Sequence, residues 1–90
     1  MGQAIVAPAE LRHFAQHLRQ FNGDLRERLA FLRSQMHSLG DTWRDQEHTH
    51  FVQEFEQTMH ALEAFTETSE QHIPFLLRKA ERIEEYLNQR

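Results

Sequence analysis

The stretch Leu39-Gly40-Asp41-Thr42-Trp43-Arg44-Asp45 separates two long segments that share one apolar periodicity. In both segments an apolar residue recurs every three or four positions, which is the spacing of an amphipathic helix. Glycine is typical of the end of a helix, and threonine followed three residues later by an acid is typical of the start of one, so we predict Asp41 or Thr42 as the N-cap of the second helix. We therefore predict an all-α fold: an antiparallel helical hairpin with helices at residues 8–39 and 42–88, joined by a turn at residues 40–41.

Two interruptions test this interpretation. Asn22-Gly23-Asp24 is a turn signal inside the first segment. The flanking apolar residues Phe21 and Leu25 are four positions apart, so the apolar stripe stays in phase and we predict one continuous helix. In the second segment, Pro74 removes a backbone hydrogen bond and clashes with the preceding turn. This predicts either a kink near Pro74 or the end of the helix there, and the sequence leaves both open.

The segment lengths predict that part of the chain has no partner within the hairpin. The first helix would be matched in length by residues 42–73, which leaves residues 74–90 as an uncovered arm of about 25 Å. A single hairpin also cannot bury an apolar stripe that runs along its whole length. The pattern therefore predicts a protein partner.

The bulk composition limits the class of protein. Ninety residues make one small domain, in which residues 1–7 lack periodicity and are expected to form a flexible tail before the hairpin of residues 8–90. No apolar run reaches the roughly 18 residues that a membrane span requires. The short patch Ala4–Ala7 has no basic residue before it, so we expect no ordinary signal peptide. Cysteine is absent, which excludes disulfides, thiolate metal sites and a cysteine nucleophile.

Charge is distributed unevenly along the chain. Residues 8–39 carry five Arg against three acids, residues 40–73 carry one Arg against eight acids, and residues 74–90 carry four basic residues against three acids. Opposite charge on consecutive helices favours their antiparallel pairing, although each exposed pair contributes only about 0–1 kcal/mol. No basic stripe is interleaved with aromatic residues, so nucleic acid is not an expected partner.

Histidine is frequent, with seven residues in the chain. His13 and His17 share a helix face with Glu10, a spacing that can hold a metal, but no third ligand at a diagnostic distance accompanies them. His48 and His50 do not share a helix face. We therefore predict no metal site and no cofactor. A metal- or pH-responsive helical bundle remains an alternative hypothesis, because histidine titrates near pH 6.5.

No group of side chains indicates catalysis. Ser34 and Ser38 lie within one helical turn of His37, whereas a catalytic triad needs groups brought from separate elements to a cleft with an oxyanion hole. The glutamates of the second segment follow a solvated helix face. We therefore predict no catalytic residue and a protein that is not an enzyme.

Trp43 is the only tryptophan and lies at the predicted tip of the hairpin. It either covers the end of its own hairpin or forms, with Gly40 and Asp45, part of a docking site. Buried tryptophans are frequent anchors of protein interfaces. The sequence leaves both roles open.

These features together resemble the WXG family of small type VII secretion proteins. The resemblance covers almost the whole chain and depends on two helices around a short turn, on residues 39–45, and on the downstream residues Phe51, Phe55, Leu62 and Phe65. Asp45 stands where the family motif has glycine. The family's C-terminal export motif is Tyr or His followed four residues later by an acid, whereas Tyr86 is followed at that distance by Arg90.

The resemblance implies a dimeric four-helix bundle of two antiparallel hairpins, secreted without a signal peptide through a membrane ATPase as a substrate or as the partner of one. We expect a homodimer, or a heterodimer with a related hairpin. The alternative is a cytoplasmic adaptor or chaperone that covers a helix of a toxin or effector. The predicted dimer interface consists of Phe14, Leu18, Phe21, Leu25, Leu32, Phe51, Phe55, Leu62, Phe65 and Leu76.

Overall fold

Two long helices form an antiparallel hairpin. The computed structural model describes residues 6–89, in which α1 spans Pro8–Leu39 and α2 spans Gln46–Asn88. The hairpin is a thin rod that measures 69 × 23 × 16 Å. The prediction of a helical hairpin is therefore confirmed. The expected flexible tail falls mostly on residues 1–5, which lie outside the described residues.

Helix α1 is continuous from end to end. Pro8 occupies its first turn, where the missing N–H costs nothing because that donor would have no intrahelical partner. The N–H groups of Glu10 and Leu11 donate to the carbonyl oxygen of Ala7. The helix passes through Gly23 without a break, as predicted, and ends before Gly40.

The two helices meet along one residue column in each, with a spacing of seven residues. On α1 this seam consists of Ala15, Asn22 and Leu29, and on α2 of Met59, Thr66, Ile73 and Ala80, all of them buried. A seven-residue repeat is the period of helices that supercoil around each other. Small residues such as Ala15 and Ala80 let the helices approach closely. Few large side chains are buried within the hairpin as a result.

A polar cluster lies at the centre of this seam. Asn22 is 0 % exposed, and its side-chain amide donates to a carboxylate oxygen of Glu70 at 2.8 Å. The hydroxyl of Ser69 donates to the Asn22 side-chain oxygen at 2.9 Å. The Asn22 side chain thus makes its hydrogen bonds across the hairpin and not to its own backbone. This explains physically why the Asn22-Gly23-Asp24 turn signal does not break α1.

We expect Asn22→Ala to destabilise the protein by about 1–3 kcal/mol, because it leaves buried polar groups without partners. Urea denaturation followed by circular dichroism measures the change. Gln20→Ala, at an exposed position of the same helix, is the matched control and should be nearly neutral. Equal effects of the two substitutions would show that the cross-helix hydrogen bonds contribute nothing.

Ion pairs join the helices along one side of the seam. Arg12 pairs with Glu84 at 2.5 Å, and Arg33 pairs with Glu63 at 2.8 Å and Glu56 at 3.5 Å. Hydrogen bonds from these arginines lower the pKa of the Glu63 and Glu84 carboxyl groups. Because the folded pKa is depressed, the stabilisation is present above the ordinary glutamate pKa and is lost as the pH falls through the lowered value. These pairs match the antiparallel pairing that the charge distribution favours.

The structure differs from the sequence prediction in the residue at which α2 starts and in the pairing of residues 74–90. Helix α2 begins at Gln46 rather than at residue 42, and the connection spans residues 40–45 rather than 40–41. At 1.5 Å per residue, α2 extends about 26 Å from Glu63 towards the tip, whereas α1 extends about 9 Å beyond Arg33. The surplus length of α2 therefore lies at the tip.

The C-terminal part of α2 is consequently paired within the hairpin. Ala80 is 0 % exposed and Glu84 bonds to Arg12 near the start of α1. The expectation of an uncovered arm at residues 74–90 is wrong, because it assumed that α2 starts beside the end of α1, whereas Arg33 near the end of α1 pairs with Glu63, well inside α2. Pro74 lies inside α2 with Ile73 buried beside it, so the helix does not end at the proline.

Candidate functional site: the hairpin tip and the apolar face

The tip of the hairpin is built by a short run of backbone hydrogen bonds. The N–H groups of Gly40 and Asp41 donate to the carbonyl oxygens of His37 and Ser38, and that of Trp43 donates to the carbonyl oxygen of Leu39 at 3.0 Å. Gly40 has right-handed backbone angles (φ −64°, ψ −16°), so it is not needed for a left-handed cap. Glycine fits there because it has no side chain: a Cβ at this position would lie 3.3 Å from the His37 carbonyl oxygen.

Asp45 is the N-cap of α2. Its side chain accepts a hydrogen bond from the backbone N–H of His48 at 3.0 Å, and its backbone is extended (φ −97°, ψ −176°). The prediction that Asp41 or Thr42 caps this helix is wrong, because the connection extends past both before α2 begins. Aspartate and glycine are both acceptable N-cap residues. The backbone at Asp45 therefore has no need of the glycine found in the Trp-x-Gly motif.

We expect Asp45→Ala to destabilise the protein by about 1 kcal/mol and Asp45→Gly by only a few tenths. The reason is that alanine cannot accept the His48 N–H, whereas glycine leaves that group open to water. Asp41→Ala, at an exposed residue of the same turn, is the control and should have little effect. Urea denaturation compares the three variants, and a glycine variant as unstable as the alanine variant would contradict the N-cap role.

Trp43 lies in the connection and packs on the first turns of α2. It is half-buried, its ring centroid is 5.0 Å from that of His48 and 5.7 Å from that of Phe51, and Phe51 stacks on Phe55 at 5.5 Å. One side of the indole is thus fixed by its own hairpin, and the rest stays accessible beside an open cleft lined by Glu47 and Glu54. This arrangement presents a preformed aromatic row at the tip.

His48 closes the inner side of the tip. Its Nε2 atom is buried and has no hydrogen-bond partner among the described residues. The His48 ring lies close enough to Gly40 that a Cβ there would meet its Cε1 atom at 3.5 Å. Gly40 and Trp43 therefore lie beside the side chain of His48, and Asp45 binds its backbone N–H, although sequence reasoning did not select this residue. Its heptad spacing from Phe55 is the signal that could have identified it.

The second candidate surface is an apolar face that runs along one side of the hairpin, opposite the ion pairs. Its aromatic residues are largely exposed, with Phe14 at 57 %, Phe21 at 51 % and Phe65 at 48 % exposure. The rings of Phe21 and Phe65 make an edge-to-face contact at 6.1 Å across the two helices. The residues of this apolar face are Leu11, Phe14, Leu18, Phe21, Leu25, Leu32, Leu39, Phe51, Phe55, Leu62, Phe65, Leu76 and Ile83.

Every residue of the predicted dimer interface belongs to this apolar face. Phe14, Phe21, Leu32, Phe51, Leu62 and Phe65 are exposed, and Leu18, Leu25, Phe55 and Leu76 are partly buried. Near the tip, Leu32, Leu39 and Phe51 line an open apolar groove. The structure therefore places the predicted interface residues on one continuous surface of the single chain.

Other kinds of site find no support in the part of the chain that the structure describes. Residues 6–89 contain no group of three or more His, Asp or Glu side chains placed to hold a metal ion. His50 pairs instead with Glu54 at 3.6 Å. Neither α1 nor α2, over the described residues, is long and apolar enough to cross a membrane.

The fold and the tip together define a small helical-hairpin protein with a single tryptophan in the connection and an exposed apolar face. The sequence matches the family model WXG100, described as proteins of 100 residues with WXG, over residues 3–86. The chain therefore belongs to the WXG100 family. This confirms the resemblance drawn from Trp43 and its surroundings, and with it a small protein related to type VII secretion.

A solved structure supports the fold independently. The chain is similar to the crystal structure of a point mutant of EsxB, a secreted protein from Bacillus anthracis strain Sterne, with a TM-score of 0.76 and 23 % sequence identity. The similarity covers 93 % of this chain and 97 % of that one. A comparison with curated proteins finds no match.

Proposed function

We propose that this chain is a non-enzymatic WXG100 protein that pairs through its apolar face into a dimeric four-helix bundle. In this form it acts as a substrate of a type VII-like secretion system, or as the partner of one, and is exported without a cleaved signal peptide. Membership of the WXG100 family supports the link to secretion. The exposed aromatic side chains of the apolar face support the dimer.

The observation that carries the proposal is the contrast between the seam and the apolar face. Among residues 6–89, only Ala15, Leu29, Met59, Ile73 and Ala80 form a buried apolar core, and two of these are alanines. Large side chains such as Phe14, Phe21 and Phe65 remain about half exposed. Contiguous apolar surface on this scale marks a protein interaction site.

The energetics favour the same conclusion. Full burial of a Leu or Phe side chain contributes about 1.5–3 kcal/mol. A two-helix hairpin buries too few such side chains to offset, with a wide margin, the conformational entropy that the chain loses on folding. A second hairpin on the apolar face would convert the rod into four helices with one continuous core. Folding and pairing are therefore expected to be coupled, so that the thermal midpoint rises with protein concentration.

The hairpin tip would supply recognition by the secretion machinery. Trp43 is held by His48 and Phe51 on one side and is accessible on the other. Tryptophan in such a position can insert into a partner's pocket at low cost in conformational entropy. A surface that includes Gly40, Trp43 and Asp45 is our candidate docking site for an export ATPase or a client.

Secretion is tested in a bacterium with an intact type VII-like system and in a matched strain that lacks its membrane ATPase. The proposal expects the protein in the culture medium only when the ATPase is present, with a cytosolic enzyme as the control for lysis. Retention in both strains would contradict export. Retention together with co-purification of an effector would favour the alternative, a cytoplasmic adaptor that covers an effector helix with the same apolar face.

A further inference from the structure

The exposed surface of α2 contains a second seven-residue column beside the apolar face. This edge column consists of Glu47, Glu54, Ala61, Thr68, Phe75 and Arg82, all of them exposed. On a helix, residues three and four positions apart are surface neighbours. Glu47 and Glu54 therefore flank Phe51, and Ala61 and Thr68 flank Phe65 in the same way. The edge column thus forms the border of the apolar face along the whole of α2.

The two ends of the edge column carry opposite charge. Glu47 lies at the tip and Arg82 near the other end, and neither makes an ion pair within residues 6–89. The middle positions, Ala61 and Thr68, are small and uncharged. The free charges contrast with those on the opposite side of the seam, where Arg12 and Arg33 have glutamate partners within the hairpin.

The edge column is symmetric about a point between residues 64 and 65. Ala61 and Thr68 are equally far from this point, and so are Glu54 and Phe75. Glu47 and Arg82 each lie about 26 Å from it along the helix axis. A second α2 laid antiparallel on the first, with its centre at the same point, would bring Glu47 beside Arg82 of the partner subunit. Phe65 of the apolar face lies at the centre of this arrangement.

A parallel arrangement would have the opposite effect. It would place Glu47 beside Glu47 of the partner subunit and Arg82 beside Arg82 of the partner subunit, so like charges would border the interface at both ends. Charges that flank an apolar contact between helices contribute little to affinity but select partner and orientation. The edge column therefore distinguishes antiparallel from parallel pairing.

We propose that the occupant of the apolar face is a second copy of this chain, and that reciprocal Glu47–Arg82 contacts at both ends of the paired α2 helices set its antiparallel register. The proposal rests on the proposed function, since it takes the apolar face to be a dimer interface. It goes further by committing to self-pairing and by assigning specificity to two residues. A different hairpin with another charge pattern would not satisfy both ends of the edge column.

Charge reversal tests the proposal through four forms of the full chain: the unchanged protein, E47R, R82E and the double variant. Each single variant should weaken the dimer about tenfold, because each contact occurs twice in a symmetric dimer and changes from attraction to repulsion. The double variant should recover most of the affinity. Sedimentation equilibrium at low salt measures the dissociation constants. Glu27→Arg makes the same charge change on a surface of α1 away from the apolar face and should leave the dimer unchanged.

Mixing the two single variants tests whether these charges lie at the interface, whereas the weakening of each single variant distinguishes antiparallel from parallel pairing. In a dimer of E47R with R82E, both ends carry opposite charges, so mixed dimers should exceed the statistical proportion in native mass spectrometry and lose this excess at high salt. Statistical proportions, or a double variant no better than the single ones, would overturn the assigned register while leaving the dimer intact. A monomeric unchanged protein would instead overturn the proposed dimer itself, so the two failures are distinguishable.

Discussion

Phe65→Asp is expected to convert the protein from a dimer to a monomer. Phe65 is 48 % exposed in the single hairpin and packs edge-to-face on Phe21 at 6.1 Å in the middle of the apolar face. A charge there would be buried without a partner in the bundle, and the change occurs twice in a symmetric dimer. We expect the dissociation constant to rise at least about 100-fold, as for the loss of a central aromatic anchor. Light scattering measures the change in mass.

The matched control is Phe31→Asp. Phe31 is the more exposed of the two, at 63 %, but its helical neighbours Glu27, Arg28, Ser34 and Gln35 are all polar. Because isolated exposed apolar residues are ordinary, this variant should remain a dimer. Circular dichroism accompanies both variants, and a lower helix content in the Phe65→Asp monomer is expected from the small core of the hairpin. A dimeric Phe65→Asp variant would show that the apolar face is not the interface.

Trp43→Ala is expected to abolish export while leaving most of the stability. The indole makes two aromatic contacts, to His48 at 5.0 Å and to Phe51 at 5.7 Å, and lies outside the seam. Losing these contacts should cost about 1–2 kcal/mol. Loss of an accessible interface anchor should weaken docking by about 30-fold or more. The measurements are the amount of protein in the culture medium and the thermal midpoint of the purified variant.

Trp43→Phe separates packing from recognition. A phenyl ring can still contact His48 and Phe51, so this variant should be nearly as stable as the unchanged protein but should bind the secretion machinery less well. If Trp43→Ala instead unfolds the purified protein, Trp43 is part of the core and the docking role is lost. Normal export of a folded Trp43→Ala variant would also contradict the role.

Much of the architecture could be predicted from the sequence, because helix periodicity is a local property. The bounds of α1 follow from Pro8 and Gly40, and the phase between Phe21 and Leu25 was enough to reject a break at Gly23. The apolar residues chosen for a partner do lie on the uncovered side of the hairpin. Family membership followed from one tryptophan placed between two such helices.

The parts that sequence reasoning missed depend on contacts between the helices. The start of α2 depends on which acid caps it, and Asp45 does so only because the connection extends past Thr42. The pairing of Arg33 with Glu63 and of Arg12 with Glu84 places the surplus length of α2 at the tip and not at its C-terminal end. The buried position of Asn22 was not predicted, because Asn22-Gly23-Asp24 indicates only a turn. Its seven-residue spacing from Ala15 and Leu29 was the available signal.

The most direct test of the central claim is the solution mass of the purified, unmodified chain at micromolar concentration and neutral pH. Self-pairing through the apolar face predicts twice the chain mass of 10.8 kDa, measured by light scattering. A folded or poorly folded monomer of 10.8 kDa would contradict self-pairing and assign the apolar face to a different protein.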